Sequence, residues 1–358
     1  MQIVATILAV IIIVTSLVGN ITVLYIVSAR SQMRNSTNIL IANMAVADLL
    51  MTFNLPSLLK YLFVLDDWFG TIIGMISCYF SQAALPVSIA ASVFTLVAIS
   101  FDRSFHILFP LRQVFTSKVI KAAMVLTWLG SLALCVPIFI LTRHTYDTLW
   151  ERYLCNLAYD YQEFRKAFQI VFITLTWIVP LLLIASVYLA VAVTLWTREL
   201  PGHQSLTAQK KANASGRKAT VMLITVVVVF GLCWAPQQIR NFWMVFVKDV
   251  RSVPVPYELN VYFPYIGYAN SAINPILYVV FSENFRREFA RTLFFWRSTK
   301  QSYHGLSRGN PTISRRLSSF TTTTRRFSTF VREAIPLKSM RRQSKETSEQ
   351  TELKKSSE

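Results

Sequence analysis

An aspartate at the centre of a membrane-spanning helix costs about 2.5–3.5 kcal/mol, so a carboxylate deep in an apolar stretch asks for a reason. Asp48 is such a residue, ten positions into the stretch that contains Asn43-Met44-Ala45-Val46-Ala47-Asp48-Leu49. Counted at about 1.5 Å per residue, Asn20, Ser92, Asn270 and Asn274 fall at a similar depth on three other stretches. One negative charge among neutral oxygens makes a ligand set for a hard monovalent cation or for ordered waters. The plainer reading is a polar cluster that joins helices. A second candidate is Asp102-Arg103, neighbours able to pair locally, from which a long arginine can swing towards a partner's carbonyls. Pro236, in Phe230-Gly231-Leu232-Cys233-Trp234-Ala235-Pro236, and Pro275, in Asn270-Ser271-Ala272-Ile273-Asn274-Pro275-Ile276-Leu277-Tyr278, each remove a helix hydrogen bond and create a kink. Covalent chemistry has no visible seat. The four histidines (His106, His144, His203, His304) are scattered, and no His-Cys cluster, Gly-rich phosphate loop or Gly-x-Ser-x-Gly elbow occurs. The chain therefore reads as neither an enzyme nor a holder of an organic cofactor.

The elements that position these residues follow from composition. With 358 residues, 53% of them hydrophobic and 15% charged, and a mean hydropathy of +0.44, a soluble, disordered or collagen-like chain is excluded. The expected class is an all-α integral membrane protein. Seven apolar stretches, about 3–29, 38–65, 74–105, 119–141, 167–196, 219–247 and 257–281, are each long enough to cross a hydrocarbon layer of about 30 Å, which makes 1–281 a seven-transmembrane helix bundle. Residues 282–296 follow as a short amphipathic helix on the membrane surface, with Phe285, Phe289 and Leu293 four apart and arginines between them. Of the 62 residues from Arg297 onwards 21 are Ser or Thr and few are apolar, so 297–358 reads as a disordered basic tail. The formal charge is +18, but 17 Lys and Arg against 7 Asp and Glu fall after Phe281, on one membrane face, so nucleic acid is not implied. Arg30, Arg34, Arg112, Lys118, Lys121, Lys210, Lys211, Arg217 and Lys218 occupy alternate short connections, which puts the carboxyl terminus in the cytosol and the amino terminus outside.

Gly19-Asn20, the Asn43 to Leu49 run, Asp102-Arg103 with Pro110-Leu111, Trp128, Pro180 with Tyr188, Cys233-Trp234-Ala235-Pro236 and Asn274-Pro275-Ile276-Leu277-Tyr278 supply one marker per span, in order. Together they resemble the rhodopsin-like, or class A, G-protein-coupled receptors, and loosely the peptide receptors among them. The resemblance implies an activation path through Asp102, Arg103, Leu111, Tyr188, Phe230, Trp234, Pro236, Asn274, Pro275 and Tyr278, with Arg103 and Leu111 meeting a heterotrimeric G protein and Trp234 acting as a toggle. Asp48, Ser92, Asn270 and Asn274 look like the family's allosteric sodium site, with no metal implied beyond that ion. Two departures matter. Ser104 stands where tyrosine is usual, and Gly216 stands where many members carry an acid that restrains the arginine, which implies ligand-free signalling.

Topology and the resemblance both favour a Cys78–Cys155 bridge over two free thiols, because Cys135 and Cys233 lie within spans. In the tail, Ser318, Ser328 and Ser344 each end an Arg-Arg-x-Ser run of the kind basophilic kinases prefer, with receptor kinases and arrestin as the implied partners and an inert basic tail on anionic membrane lipids as the rival reading. Leu85 stands where aminergic members carry an aspartate, and Tyr268 where photoreceptors carry a lysine, so the resemblance points away from both ligand classes. The remaining wall, Gln82, Leu85, Phe172, Thr176, Trp234, Gln237, Gln238, Asn241, Asn260, Tyr265 and Tyr268, offers amides, hydroxyls and aromatics that suit a neuropeptide-like extracellular agonist. A non-aminergic small molecule or lipid would suit the same wall. The expectation is a multi-pass plasma-membrane receptor that signals by outward movement of the sixth span. An ion-coupled transporter using Asp48 is the rival from another class.

Overall fold

The computed structural model describes residues 2–64, 67–109, 114–149, 151–158, 162–197, 206–246 and 256–293, with the side chains of 61, 62, 64, 67, 195–197, 206–219, 244–246, 257, 258 and Asn260 outside that description. Leu111, Ser318, Ser328 and Ser344 also lie outside the described residues. The elements are α1 (Gln2–Ala29), α2 (Ser36–Val64), β1 (Asp67–Trp68), α3 (Ile72–Leu108), α4 (Ser117–Leu141), β2 (Thr142–Asp147), β3 (Arg152–Leu157), α5 (Gln162–Ile173), a π-helical turn (Thr174–Ile178), α6 (Val179–Thr197), α7 (Leu206–Phe246), α8 (Tyr257–Phe281) and α9 (Glu283–Leu293). A 3-10 turn, Ser31–Met33, joins α1 to α2. Bundle and α9 form one compact unit, Met1–Leu293.

Among the described residues, six helical stretches are long and apolar enough to cross a membrane, α5 through α6 counting as one. The remaining long helix is α8, whose 25 residues reach about 37 Å at 1.5 Å per residue. Its Asn270, Ser271, Asn274 and two prolines keep its hydropathy low, and the first three side chains are buried in the bundle. The hydrophobic pattern is inverted relative to a soluble protein. Leu126, Leu129, Leu182, Leu189 and Leu232 face outwards, while polar side chains gather inside. Val23, Ile26, Leu40, Met44, Ile99, Leu223, Phe230 and Trp234 form the dry part of the core.

Local chemistry sets the helix starts. Thr71 caps α3 by accepting from Gly74 N at 3.2 Å, and Thr116 caps α4 by accepting from Val119 N at 3.4 Å. Pro180 has no N–H to give the carbonyl of Thr176, and the preceding turn widens into the π-helical segment. The central helix is α3, which packs against α2, α4 and α6, while α1 and α7 each pack against α8. At one end the antiparallel sheet β1-β3-β2, registered Trp68↔Tyr153 and His144↔Cys155, lies beside the first turns of α3. At the other end α9 turns off α8 with Phe285 and Phe289 buried. These are the sheet end and the α9 end of the bundle.

Candidate functional site

The middle of the bundle holds a polar layer. Asn274 Nδ2 donates to Asp48 Oδ2 at 2.9 Å, joining α8 to α2. Thr52 Oγ1 donates to the Asp48 carbonyl at 2.7 Å and lies 2.6 Å from Ser16 Oγ of α1. Asn20 Nδ2 donates to the carbonyls of Ser16 and Ser271, both at 3.0 Å. Gly19 makes this approach of α1 to α8 feasible, since a Cβ there would sit 2.7 Å from the Pro275 ring. Asp48, Asn20, Ser92, Asn270 and Asn274 are all buried. Asp48 Oδ1, Asn20 Oδ1, Ser92 Oγ, Asn270 Oδ1 and Asn274 Oδ1 have no partner among the described residues. A cluster of buried acceptors in need of positive charge or donors fits a monovalent cation with an all-oxygen shell, or waters.

Towards the α9 end, the local pairing expected of Asp102 and Arg103 does not form. Instead Asp102 Oδ2 accepts from Thr37 Oγ1 of α2 at 2.5 Å, and Oδ1 lies 3.5 Å from His106 Nδ1, one turn on. Arg103 Nε is buried without a partner among the described residues. Tyr188 OH of α6 lies 3.5 Å from Ser100 Oγ, and Ser104 Oγ donates to the Ser100 carbonyl at 2.7 Å. Tyr278 OH donates to Met44 Sδ at 3.7 Å, and its ring lies 5.7 Å from that of Phe285 in α9.

The sheet end carries the Cys78–Cys155 disulfide, which ties β3 to α3, while Cys135 and Cys233 are buried free thiols. Gln82 Nε2 donates to the Cys155 carbonyl at 3.4 Å. Trp234 is buried, with its ring centre 6.4 Å from that of Phe230. Its ring rests on Gly267 of α8, where a Cβ would come within 2.8 Å of it. Gln237 Nε2 of α7 donates to Asn241 Oδ1 at 3.1 Å, which leaves Gln237 Oε1, Gln238 Oε1, Tyr265 OH and Trp234 Nε1 without partners among the described residues. Phe172 and Thr176 are buried, but Thr176 Oγ1 donates to the Phe172 carbonyl at 2.7 Å, so that hydroxyl is engaged within its own helix. Leu85 is half-buried and packs against the core.

Three residues here escaped the sequence reading. Asn54 Nδ2 donates to Tyr268 OH at 3.1 Å and keeps a spare buried Oδ1. Trp177 Nε1, in the π-helical turn, is buried without a partner among the described residues. Gly267 is the third. Asn54 had a readable signal, being a second polar side chain in the span of Asp48 and about 9 Å nearer the sheet end. Gly267 had none, because its role depends on a ring from another helix.

The family model of seven-transmembrane receptors of the rhodopsin family matches residues 19–278. The chain is 30% identical over 284 residues to the RYamide receptor of Drosophila melanogaster, covering 78% of this chain and 60% of that one. It is 30% identical over 294 residues to the tachykinin-like peptides receptor 86C of the same organism, covering 78% and 56%. The allatostatin-A receptor of Bombyx mori is 30% identical over 289 residues, covering 78% and 77%. The chain thus spans less than two thirds of the length of the two Drosophila relatives. The matched region takes in the polar layer, Asp102-Arg103, Pro236 of α7 and Pro275 of α8, and the chain belongs to the rhodopsin family of seven-transmembrane receptors.

Proposed function

We propose that this chain is a plasma-membrane receptor for a peptide with spare N–H donors, an amidated end above all, and that it activates a heterotrimeric G protein. The observation that carries the ligand reading is the set of buried side-chain amide carbonyls at the sheet end: Gln237, Gln238 and Asn54 each keep an unpartnered Oε1 or Oδ1. Buried acceptors left unmatched cost about 1–3 kcal/mol each, which a ligand bearing N–H groups recovers. The similarity to receptors of insect peptides supports the same reading. By the positive-inside rule the sheet end faces outside and the α9 end faces the cytosol.

The mechanism is a population shift. A ligand contacting Gln237, Gln238 and Tyr268 favours an arrangement in which Trp234 moves against Gly267 and α7 swings outwards about its Pro236 kink. Asp48, Ser92, Asn270 and Asn274 would hold a sodium ion in the resting arrangement, where the ion supplies the positive charge that a buried carboxylate lacks. When α8 shifts, Asn274 leaves Asp48 and that oxygen shell is lost. Arg103, unpaired at Nε, then turns to the G protein together with Leu111. Ser318, Ser328 and Ser344 serve receptor kinases and arrestin afterwards.

Cells expressing the receptor with a promiscuous G-protein readout test this against a library of amidated peptides and their free acids. Amidated agonists acting at least about tenfold below their acids are expected, one lost donor contact being worth roughly 1.4 kcal/mol. Response only to small molecules or lipids would overturn the peptide reading. Arg103→Ala should abolish the G-protein response while agonist binding persists, and normal signalling by that variant would remove the role assigned to Arg103.

A further inference from the structure

A cavity of about 370 Å³ opens at the α9 end, between the connection from α1 to α2 and α9, lined among others by Arg30, Ser31, Asn284, Arg287 and Arg291. On its wall Glu288 is only 5% exposed. Its carboxylate takes Arg291 Nη1 at 2.8 Å, Arg30 Nε at 3.4 Å and Arg287 Nε at 3.9 Å. We propose that this cleft binds a multiply phosphorylated inositol lipid headgroup of the cytosolic leaflet.

Three guanidinium groups share one carboxylate, so the cleft keeps a formal excess of positive charge. A carboxylate offers about four lone-pair sites whereas each guanidinium carries five N–H donors, so most of the donors remain for something else. The three arginine side chains are 46%, 57% and 61% exposed. Although Arg287 Nη2 donates to Asn284 Oδ1 at 3.5 Å and Arg291 Nη1 to Glu288, their remaining donors can close on an incoming anion while buried Glu288 fixes where they stand. A monoanionic lipid would match one fork. Several forks around one concave space match a ring bearing two or more phosphates. The anchoring of α9 by Phe285 and Phe289 keeps the cleft at the bundle's edge, where headgroups lie. The inference rests on the orientation given under the proposed function and on nothing else in that reading.

The full chain in lipid nanodiscs tests it without any agonist or G protein. Retention of phosphatidylinositol 4,5-bisphosphate is compared with that of phosphatidylserine by native mass spectrometry, for the wild type, for Arg287→Gln with Arg291→Gln, and for Lys118→Gln with Lys121→Gln. The arginine pair should lower retention of the bisphosphate at least about tenfold, with the lysine pair unchanged and phosphatidylserine indifferent to all. Equal loss in the lysine pair, or equal retention of phosphatidylserine, would reduce the cleft to general basic attraction and overturn the proposal. Two further probes are inositol 1,4,5-trisphosphate and a peptide of residues 312–330 phosphorylated at Ser318 and Ser328. Tighter binding of the soluble headgroup than of the lipid would overturn the lipid source, and tighter binding of the peptide would assign the cleft to the chain's own tail. Should the arginine pair fail to fold, Arg30→Gln carries the same expectation. Loss of agonist signalling with headgroup retention intact would count against the receptor reading alone.

Discussion

The two sides of the bundle are held together by different means. On the side of α1 to α4 and α8, side chains bond across helices at every level: Asn54 to Tyr268, Asp48 to Asn274, Ser16 to Thr52, Asn43 to Thr95 at 2.9 Å, Trp128 to Asn43 at 3.0 Å and Thr37 to Asp102. On the side of α6 and α7, the described side chains of Ser186, Thr194, Thr225 and Gln237 bond within their own helix, to Leu182, Ala190, Val221 and Asn241. The described core contacts of these two helices are apolar ones such as Ile184, Leu223, Val226 and Phe230, together with the 3.5 Å approach of Tyr188 to Ser100. Cross-helix hydrogen bonds fix a register, whereas apolar contacts permit sliding and tilting at little cost while burial is kept. These described bonds thus differ in type between the two sides, which is what the proposed swing of α7 would require.

Five substitutions sharpen or break that contrast. Cys78→Ser on the scaffold side should have the largest effect, since the disulfide closes 77 residues of chain and contributes roughly 4 kcal/mol by loop entropy. The measurement is surface expression with thermal unfolding in detergent, and an unchanged melting curve would show that the sheet is held by other means. Asn43→Ala comes next, at about 1–3 kcal/mol, because it leaves Trp128 Nε1 and Thr95 without their partner. Thr225→Ala on α7, the matched control, should stay within about 0.5 kcal/mol. Equal melting shifts for the two would erase the distinction between the sides. Asp48→Asn should abolish any dependence of thermal stability on sodium against choline at constant ionic strength, and a dependence equal to the wild type's would place the ion elsewhere. The smallest effect is that of Gly216→Glu, a modest fall in ligand-free second-messenger output from α7 being restrained. No fall would mean that Gly216 does not set the resting balance.

Much of this was legible in the sequence, for reasons that particular residues make plain. The bundle followed from apolar length, and the polar layer from counting depth along each span, because both depend only on helical rise. The Cys78–Cys155 bridge followed from which thiols lie outside spans. What depends on azimuth or on two distant helices did not follow. Neighbouring Asp102 and Arg103 invited a contact pair, whereas the hydrogen bond that Asp102 makes is to Thr37, 65 residues away. That Thr176 spends its hydroxyl proton on the Phe172 carbonyl depends on a side-chain rotamer that the sequence does not display. The π-helical turn before Pro180 and the fit of Gly267 to Trp234 required packing to reveal them.

The bare backbone of α8 at Gly267 has a mechanical consequence. With no methyl between them, the indole of α7 bears on the main chain of its neighbour. A side-chain cushion would absorb a small rotation by changing rotamer, but a main chain can only be carried along. A tilt of that ring would therefore be handed to α8 as a rigid displacement, two turns from the asparagine that clasps Asp48, gearing the Trp234 contact to the polar layer with little slack.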